Sequence, residues 1–431
     1  MGIDRSAHSL AQQAKIVYAG SNNTSYEQGD ADLRELADLT VGSKQVRRIC
    51  KQIGGERCDE RDEAVAHFQA LPLVERKKAP EGVTAPTVAV VGVDGGRLQI
   101  FVRAATSDAA ADTEPNAGAS DPEIDDDPDE RTDNGRHWRE DKIGLVMTMA
   151  SPVHVGDPCP EIPANFVEPQ RIVKLARELK KRAPPQAEAT QSTADAEPAA
   201  AASRDEWERP EVESKRLVAT RRPWEAFGPM VAARAWEWGL FGSSRQAFLG
   251  DGASNNWTMW RSYFSSFTPI LDFIHALSYV FAAATAGRPF VEGWGCYVTW
   301  IEWVWQGQVE KVIDDLVVRQ EELGMPAKEE SAGSPRQVVS RALAYLRNNA
   351  TRMNYAEYRR DGLPITSSYV ESAVKQFNYR VKGTEKFWSE SGAEEMLQLR
   401  ADFLSDDRPL DGFWKRRQAN ESGQRRYRTA A

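Results

Sequence analysis

Three acids stand out by their surroundings: Asp94 in VVGVDGGR, Asp251 in FLGDGAS and Glu371 in SSYVESAVKQFNYR. The first two each close an apolar, β-rich run and precede glycine, which places them at predicted strand ends; Glu371 lies in a stretch of helical periodicity. Carboxylates from two neighbouring strand ends, with a third from a helix packed across them, can hold a pair of Mg²⁺ ions about 4 Å apart. Such a pair activates an attacking oxygen and stabilises the leaving one during in-line attack on a phosphodiester. Hard cations need oxygen ligands, so Asp and Glu fit where His or Cys would not, and Mn²⁺ is expected to substitute. Each acid alone has a plainer explanation. Asp-Gly is the commonest turn dipeptide, and Glu371 with Lys375 is an ordinary i, i+4 pair.

Around the Glu371 helix the spacing continues. Lys375, Asn378 and Lys382 fall at i+4, i+7 and i+11, one stripe that would lay positive charge beside a scissile phosphate, with Arg380 and Lys386 extending it. Asp272 and His275 form a D-x-x-H in DFIHA, where the histidine opens a helix after an apolar strand, a common place for a structural histidine. Trp300, Trp303 and Trp305, with Trp294 before them, offer rings for base stacking, but Trp300, Trp303 and Val304 have the i, i+3, i+4 spacing of a buried stripe, and core is the favoured reading.

The elements that must position these residues follow from periodicity. TVAVVGVDGGRLQIFV predicts a hairpin from Thr87 to Val102 turning on Asp-Gly-Gly, KIGLVMTMA a third strand, RQAFLG a short fourth ending on Asp251, and FTPILDF a fifth. From Gly293 to Leu404 helical patterns dominate. Near the start, DLRELADL places Leu33, Leu36 and Leu39 on one face, TVG breaks the pattern, and Ser43 is positioned to cap SKQVRRICKQIG, whose buried stripe is Val46, Ile49, Cys50 and Ile53. That is the outline of a helix-turn-helix, its second helix exposing Lys44, Gln45, Arg47, Arg48, Lys51 and Gln52 to a DNA groove. The alternative is a short basic helical hairpin packed on the next domain.

With these motifs together, the sequence resembles the insertion-sequence transposases of the DDE class. In that family a first Asp lies on the first strand, a second on the fourth and a Glu on a later helix, and GVDGGR, LGDGAS and YVESAVK match those places. The D-x-x-H of Asp272 and His275 matches a motif of members carrying a helical insertion. The resemblance covers roughly Val88 to Leu404. It implies an α/β, ribonuclease H-like mixed sheet interrupted by a mostly helical insertion. It implies catalysis by Asp94, Asp251 and Glu371 holding two Mg²⁺ ions, with transposon-end and target DNA as partners and a homo-oligomer on DNA. By resemblance, Asp272 and His275 brace the sheet or contact a displaced base.

Composition bounds the rest. The chain has 431 residues, 41% of them hydrophobic, and 13 tryptophans, enough for a substantial core in two or three domains. No apolar stretch reaches the roughly 20 residues of a membrane span, so a soluble, cytoplasmic, nucleoid-associated protein is expected. Four scattered cysteines form no metal or disulfide pattern. The net charge of −9 is concentrated in two Ala-, Pro- and acid-rich segments, and the remainder is mildly basic. The expected organisation is a helical region at 1–80, strands at 87–102 and 137–150 split by a disordered acidic insert at 104–136, and a disordered linker at 183–212. The rest of the catalytic sheet follows at 213–292, then a helical insertion at 293–362, the Glu371 region at 363–405 and a basic tail at 406–431. Two other readings compete: a catalytically inactive, transposase-derived DNA-binding protein, and an actin-like sugar kinase whose first phosphate loop VGVDGGR resembles.

Overall fold

The computed structural model describes residues 8–101, 131–132, 136–182, 209–383 and 386–420; the expected acidic insert and linker lie almost wholly outside them. Strand β1 (Val88–Phe101) is central. Its opening VAVV is apolar at successive positions because both faces are covered, and all four residues are fully buried. Strand β3 (Arg136–Ala150), preceded by the two-residue β2 (Arg131–Thr132), pairs antiparallel with β1, from Val88 opposite Met149 to Phe101 opposite Arg136. Strand β4 (Glu211–Thr220) pairs antiparallel with β3. On the other side of β1, β5 (Arg245–Gly250) and then β6 (Thr268–Leu271) run parallel to it. The sheet is therefore mixed, in the order β4–β3–β1–β5–β6.

Two expectations about strands change. Thr87–Val102 is not a hairpin: the ladder passes straight through Asp94, Gly95 and Gly96, which face Ile143, Lys142 and Asp141. Pairing with a fifteen-residue partner overrides the local turn preference of Asp-Gly-Gly. The second change is β4, which begins inside the expected linker and was hidden by its exposed, charged first half.

Helices cover both faces. The first three are α1 (Leu10–Asn22), α2 (Tyr26–Ala37) and α3 (Ser43–Ala70), followed by the single turn α4 (Leu73–Arg76) and by α5 (Pro169–Arg182). Next, α6 (Trp224–Glu237) packs on one face of the sheet, where Gly144 of β3 meets Phe227 and Val231; α7 (Ser254–Tyr263) follows β5. Beyond β6 stand α8 (Phe273–Thr285), α9 (Phe290–Trp305), α10 (Val309–Leu323), α11 (Pro335–Asn349) and α12 (Tyr355–Arg360). Of the α9 tryptophans, Trp300 and Trp305 are buried and donate to Asp315 and to the Cys159 carbonyl, while Trp294 and Trp303 are half-buried and pack against the core. The opposite face of the sheet is covered by α13 (Ser368–Val381) and α14 (Glu390–Leu404), and α15 (Pro409–Ala419) ends the described chain.

The N-terminal helices keep the order helix, short turn, helix in α2, residues 38–42 and α3, and differ from the expected outline in detail. α3 is one continuous helix of 28 residues packed along α14, and a Cβ on Gly54 would lie 2.8 Å from the Glu395 carbonyl oxygen. Ser43 does not cap it; the N-cap is Gly42, without a side-chain bond. Leu36 is 83% exposed while Leu33 is buried, so those leucines do not form one buried face. Buried ion pairs lock α3 to α14: Arg57 donates to Asp402 at 2.8 Å and Arg61 to Glu394 at 2.8 Å. Glu394 also accepts from the Thr220 hydroxyl of β4 at 2.7 Å. These helices are built into the layer that covers the sheet. All four cysteines are free, and no described helix is long and apolar enough to cross a membrane.

Candidate active site

The strand registers align three acids. The last β1–β5 pair is Gly92 with Leu249, and the last β5–β6 pair is Gly250 with Leu271. Two places beyond the first pair, Asp94 and Asp251 are level; one place beyond the second, Asp251 and Asp272 are level. Neighbouring strands stand about 4.8 Å apart, so the main-chain positions of three acids line up across the sheet where β5 and β6 end, and the charges of all three act on His275. An Asp272 N–H bond to the Gly250 carbonyl, 2.9 Å, continues the ladder to that point. Asp94 itself lies in mid-strand rather than at the strand end expected for it, and it reaches the row because β5 is short. An unbroken strand at Asp94–Gly96 also leaves no loop to cradle a phosphate, which removes the basis of the sugar-kinase reading.

Glu371 arrives from the helix above. Gly92 lets α13 approach β1 closely, since a Cβ there would lie 2.5 Å from a Val370 methyl. The start of α13 is fixed by Ser367, whose carbonyl accepts from the Val370 and Glu371 N–H groups at 2.8 and 3.1 Å. Its hydroxyl donates to the Asp272 carboxylate. Asp272 also accepts from the Ile274 N–H at 3.0 Å, capping α8, and contacts His275 Nδ1 at 2.9 Å. One buried carboxylate thus ties β6 and α8 to the helix carrying Glu371. Ligand atoms of Asp272, His275 and Glu371 lie within 4.8 Å of one another.

The electrostatics match the geometry. Burial alone would lower the His275 pKa, but the Asp272 hydrogen bond and the charges of Asp272, Asp251 and Asp94 outweigh it and push it up to about 9. Burial works to raise the Asp272 pKa, yet the bonds from His275, Ser367 and the Ile274 N–H hold it below the usual value.

Asp251 is held from several sides. Its Oδ1 accepts from the Ala253 N–H at 2.9 Å and from Asn256 Nδ2 at 2.7 Å, and its carbonyl accepts from the Tyr345 hydroxyl at 2.7 Å. The Tyr345 ring stacks on Tyr279 of α8, centroids 3.7 Å apart. Asp-Gly does form a turn here, because Gly252 adopts φ +100°, and the turn aims the acid. Sequence reasoning missed Asn256, Tyr279, Tyr345 and Ser367. Ser367, just ahead of a helical pattern, carried a capping signal; Tyr345, 94 residues from Asp251, carried none.

The expected DNA-contact residues separate. Lys44, Arg47, Arg48, Lys51, Lys375 and Lys382 are exposed, and Gln45 and Asn378 are half-buried. Arg380 is 2% exposed; it donates to the Gly20 carbonyl and lies between the rings of Tyr26 and Trp388, so it pins α13 to the N-terminal helices and leaves the track. Lys386 is half-buried, its amine on the Tyr379 carbonyl at 2.9 Å. On the sheet face beneath α13 lies a further buried acid, Asp141, whose carboxylate oxygens have no hydrogen-bond partner among the described residues. Compared with known proteins, the chain matches no family model, and no curated protein is significantly similar to it.

Proposed function

We propose that this chain is a metal-dependent polynucleotidyl transferase of the DDE transposase type, which cuts DNA at the ends of an element and joins the freed 3′ ends to target DNA. The observation that carries the reading is the row of Asp94, Asp251 and Asp272 with the Glu371 helix locked onto it. The mixed sheet is compatible with the ribonuclease H-like fold of that resemblance. The first acid stands on the first strand, the second directly after β5, and the Glu on a late helix.

The residues fit divalent cations. Carboxylates are the oxygen donors that hard cations take, and Asp272, His275 and Glu371 offer ligand atoms within 4.8 Å of one another. Asp94, Asp251 and Glu371 would hold the ions. Two Mg²⁺ ions there would activate the attacking oxygen and stabilise the leaving one. The chain supplies the positioning: Asp272 and Ser367 fix Glu371, Tyr345 and Asn256 fix Asp251, and Lys375 beside Glu371 offsets phosphate charge. DNA ends and target DNA are the partners, and pairing two ends calls for more than one copy. A nucleoid location follows from that substrate.

The test is nicking and strand transfer in Mg²⁺ on DNA carrying the element's own ends, comparing wild type with Asp251→Asn. Activity that vanishes in the variant supports the reading. If both proteins bind the DNA and neither cuts it, the chain is a DNA-binding protein.

A further inference from the structure

The basic residues of α3 divide by position. Arg57 and Arg61, in its middle turns, are buried and paired with Asp402 and Glu60, and with Glu394 and Asp62. Lys44, Arg47, Arg48 and Lys51, in its first turns, stand at i, i+3, i+4 and i+7, form one exposed stripe and make no ion pair among the described residues. Lys375 on α13 and Lys382, the residue that ends it, are likewise exposed and without an ion pair among the described residues, the Lys382 amine lying 5.8 Å from the centre of the Trp138 ring. Folding neutralises the first set and leaves the second without ion pairs among the described residues, offset only by Glu395 acting on Lys51 and Asp141 on Lys382, so like-charge repulsion remains that a polyanion would relieve.

These cations adjoin. The Lys51 amine lies 3.2 Å from the Ser391 hydroxyl at the start of α14. Arg47 sits close enough to Tyr26 to act on it electrostatically, and the Tyr26 ring packs on Trp388, just beyond the end of α13. Trp388 in turn donates to the Val381 carbonyl, the last residue of α13. From that junction α13 runs back to Glu371, a rise of about 16 Å between Glu371 and Lys382 at 1.5 Å per residue. A duplex advances about 3.4 Å per base pair, so this span corresponds to roughly five base pairs.

We infer that the first turns of α3 and the outer face of α13 form one rigid surface that grips the backbone of duplex DNA, about five base pairs and more from the candidate active site. This rests on the proposed reading for the position of the cut, but not for the grip itself. Phosphate contacts of this kind carry no sequence information, so α3 serves as a sequence-independent wing of the catalytic unit rather than as a separate base-reading module.

The experiment uses the full chain in EDTA with two unrelated 30-base-pair duplexes, reading Kd by fluorescence anisotropy from low to moderate salt. Wild type is compared with Arg47→Ala/Lys51→Ala, with Lys375→Ala/Lys382→Ala, and with Lys328→Ala in the exposed α10–α11 loop as control. Each double variant is expected to reduce the slope of log Kd against log salt by about 1.8, equally on both duplexes, and the control to leave it unchanged. A negligible wild-type slope, an unchanged slope in the α3 variant, or a loss confined to one duplex overturns the inference. Because metal is absent, cutting plays no part: slope losses as expected in a protein that never nicks DNA would sink the transposase reading and leave the surface standing.

Discussion

The Tyr345 hydroxyl donates a 2.7 Å hydrogen bond to the main-chain carbonyl of Asp251, although α11 and β5 are far apart in the chain. The helical part beyond β6 thus reaches the acid row and helps set the direction in which Asp251 leaves its strand. Tyr345→Phe is expected to destabilise the protein by about 1 kcal/mol and to raise the Mg²⁺ concentration needed for half-maximal nicking. Urea denaturation and a metal titration check this; a folded variant with an unchanged metal requirement would show that the Asp251 side-chain bonds suffice.

Gly252 lies against the same tyrosine. Its φ of +100° and the 2.5 Å between a built Cβ and the Tyr345 ring make any side chain strained there. Gly252→Ala should cost more than about 1 kcal/mol, measured by denaturant midpoint, and should lower nicking further than Tyr345→Phe.

Asp141 gives a pH dependence. It is fully buried opposite Gly96, and burial pushes its pKa from 3.8 up to about 6. The native state therefore resists losing this proton more than the unfolded chain does. Its contribution is neutral below 3.8, turns destabilising as pH climbs toward 6, and stays so above. Asp141→Asn should raise stability by up to roughly 3 kcal/mol at pH 8 and change little at pH 4. Equal gains at both pH values in urea titrations would refute the charged-carboxylate explanation.

Ser367 links the buried Asp272 to the Glu371 helix. Ser367→Ala removes one partner of a buried carboxylate, an expected loss of about 1–3 kcal/mol, with a fall in nicking and little change in duplex binding. Retained activity at unchanged stability would mean that α13 is held by its packing on Gly92 instead.

The α3–α14 ion pairs make the N-terminal helices part of the main unit. Asp402→Ala leaves Arg57 buried without its main partner and should cost about 3–5 kcal/mol in one cooperative transition. Two separate thermal transitions, followed by circular dichroism, would instead indicate an independent N-terminal module.

The strand leading to Asp251, the D-x-x-H spacing and most other strands and helices were legible in the sequence because each rests on local chemistry: an apolar run ending on Asp251, helical spacing around Glu371, an acid three places before a histidine. Charge on the first turns of α3 was legible for the same reason. The largest misreadings were decided at a distance. Asp-Gly-Gly at 94–96 is a turn by local preference and a strand because β3 pairs across it. Glu211–Thr220 has a charged first half and is a strand because β3 offers an open edge. Arg380 has the composition of a DNA contact and is buried because Tyr26 and Trp388 close around it. The alignment of Asp94 with Asp251, and of Asp251 with Asp272, depends on strand register across gaps of many residues. Periodicity within one segment carries no information about the register between two.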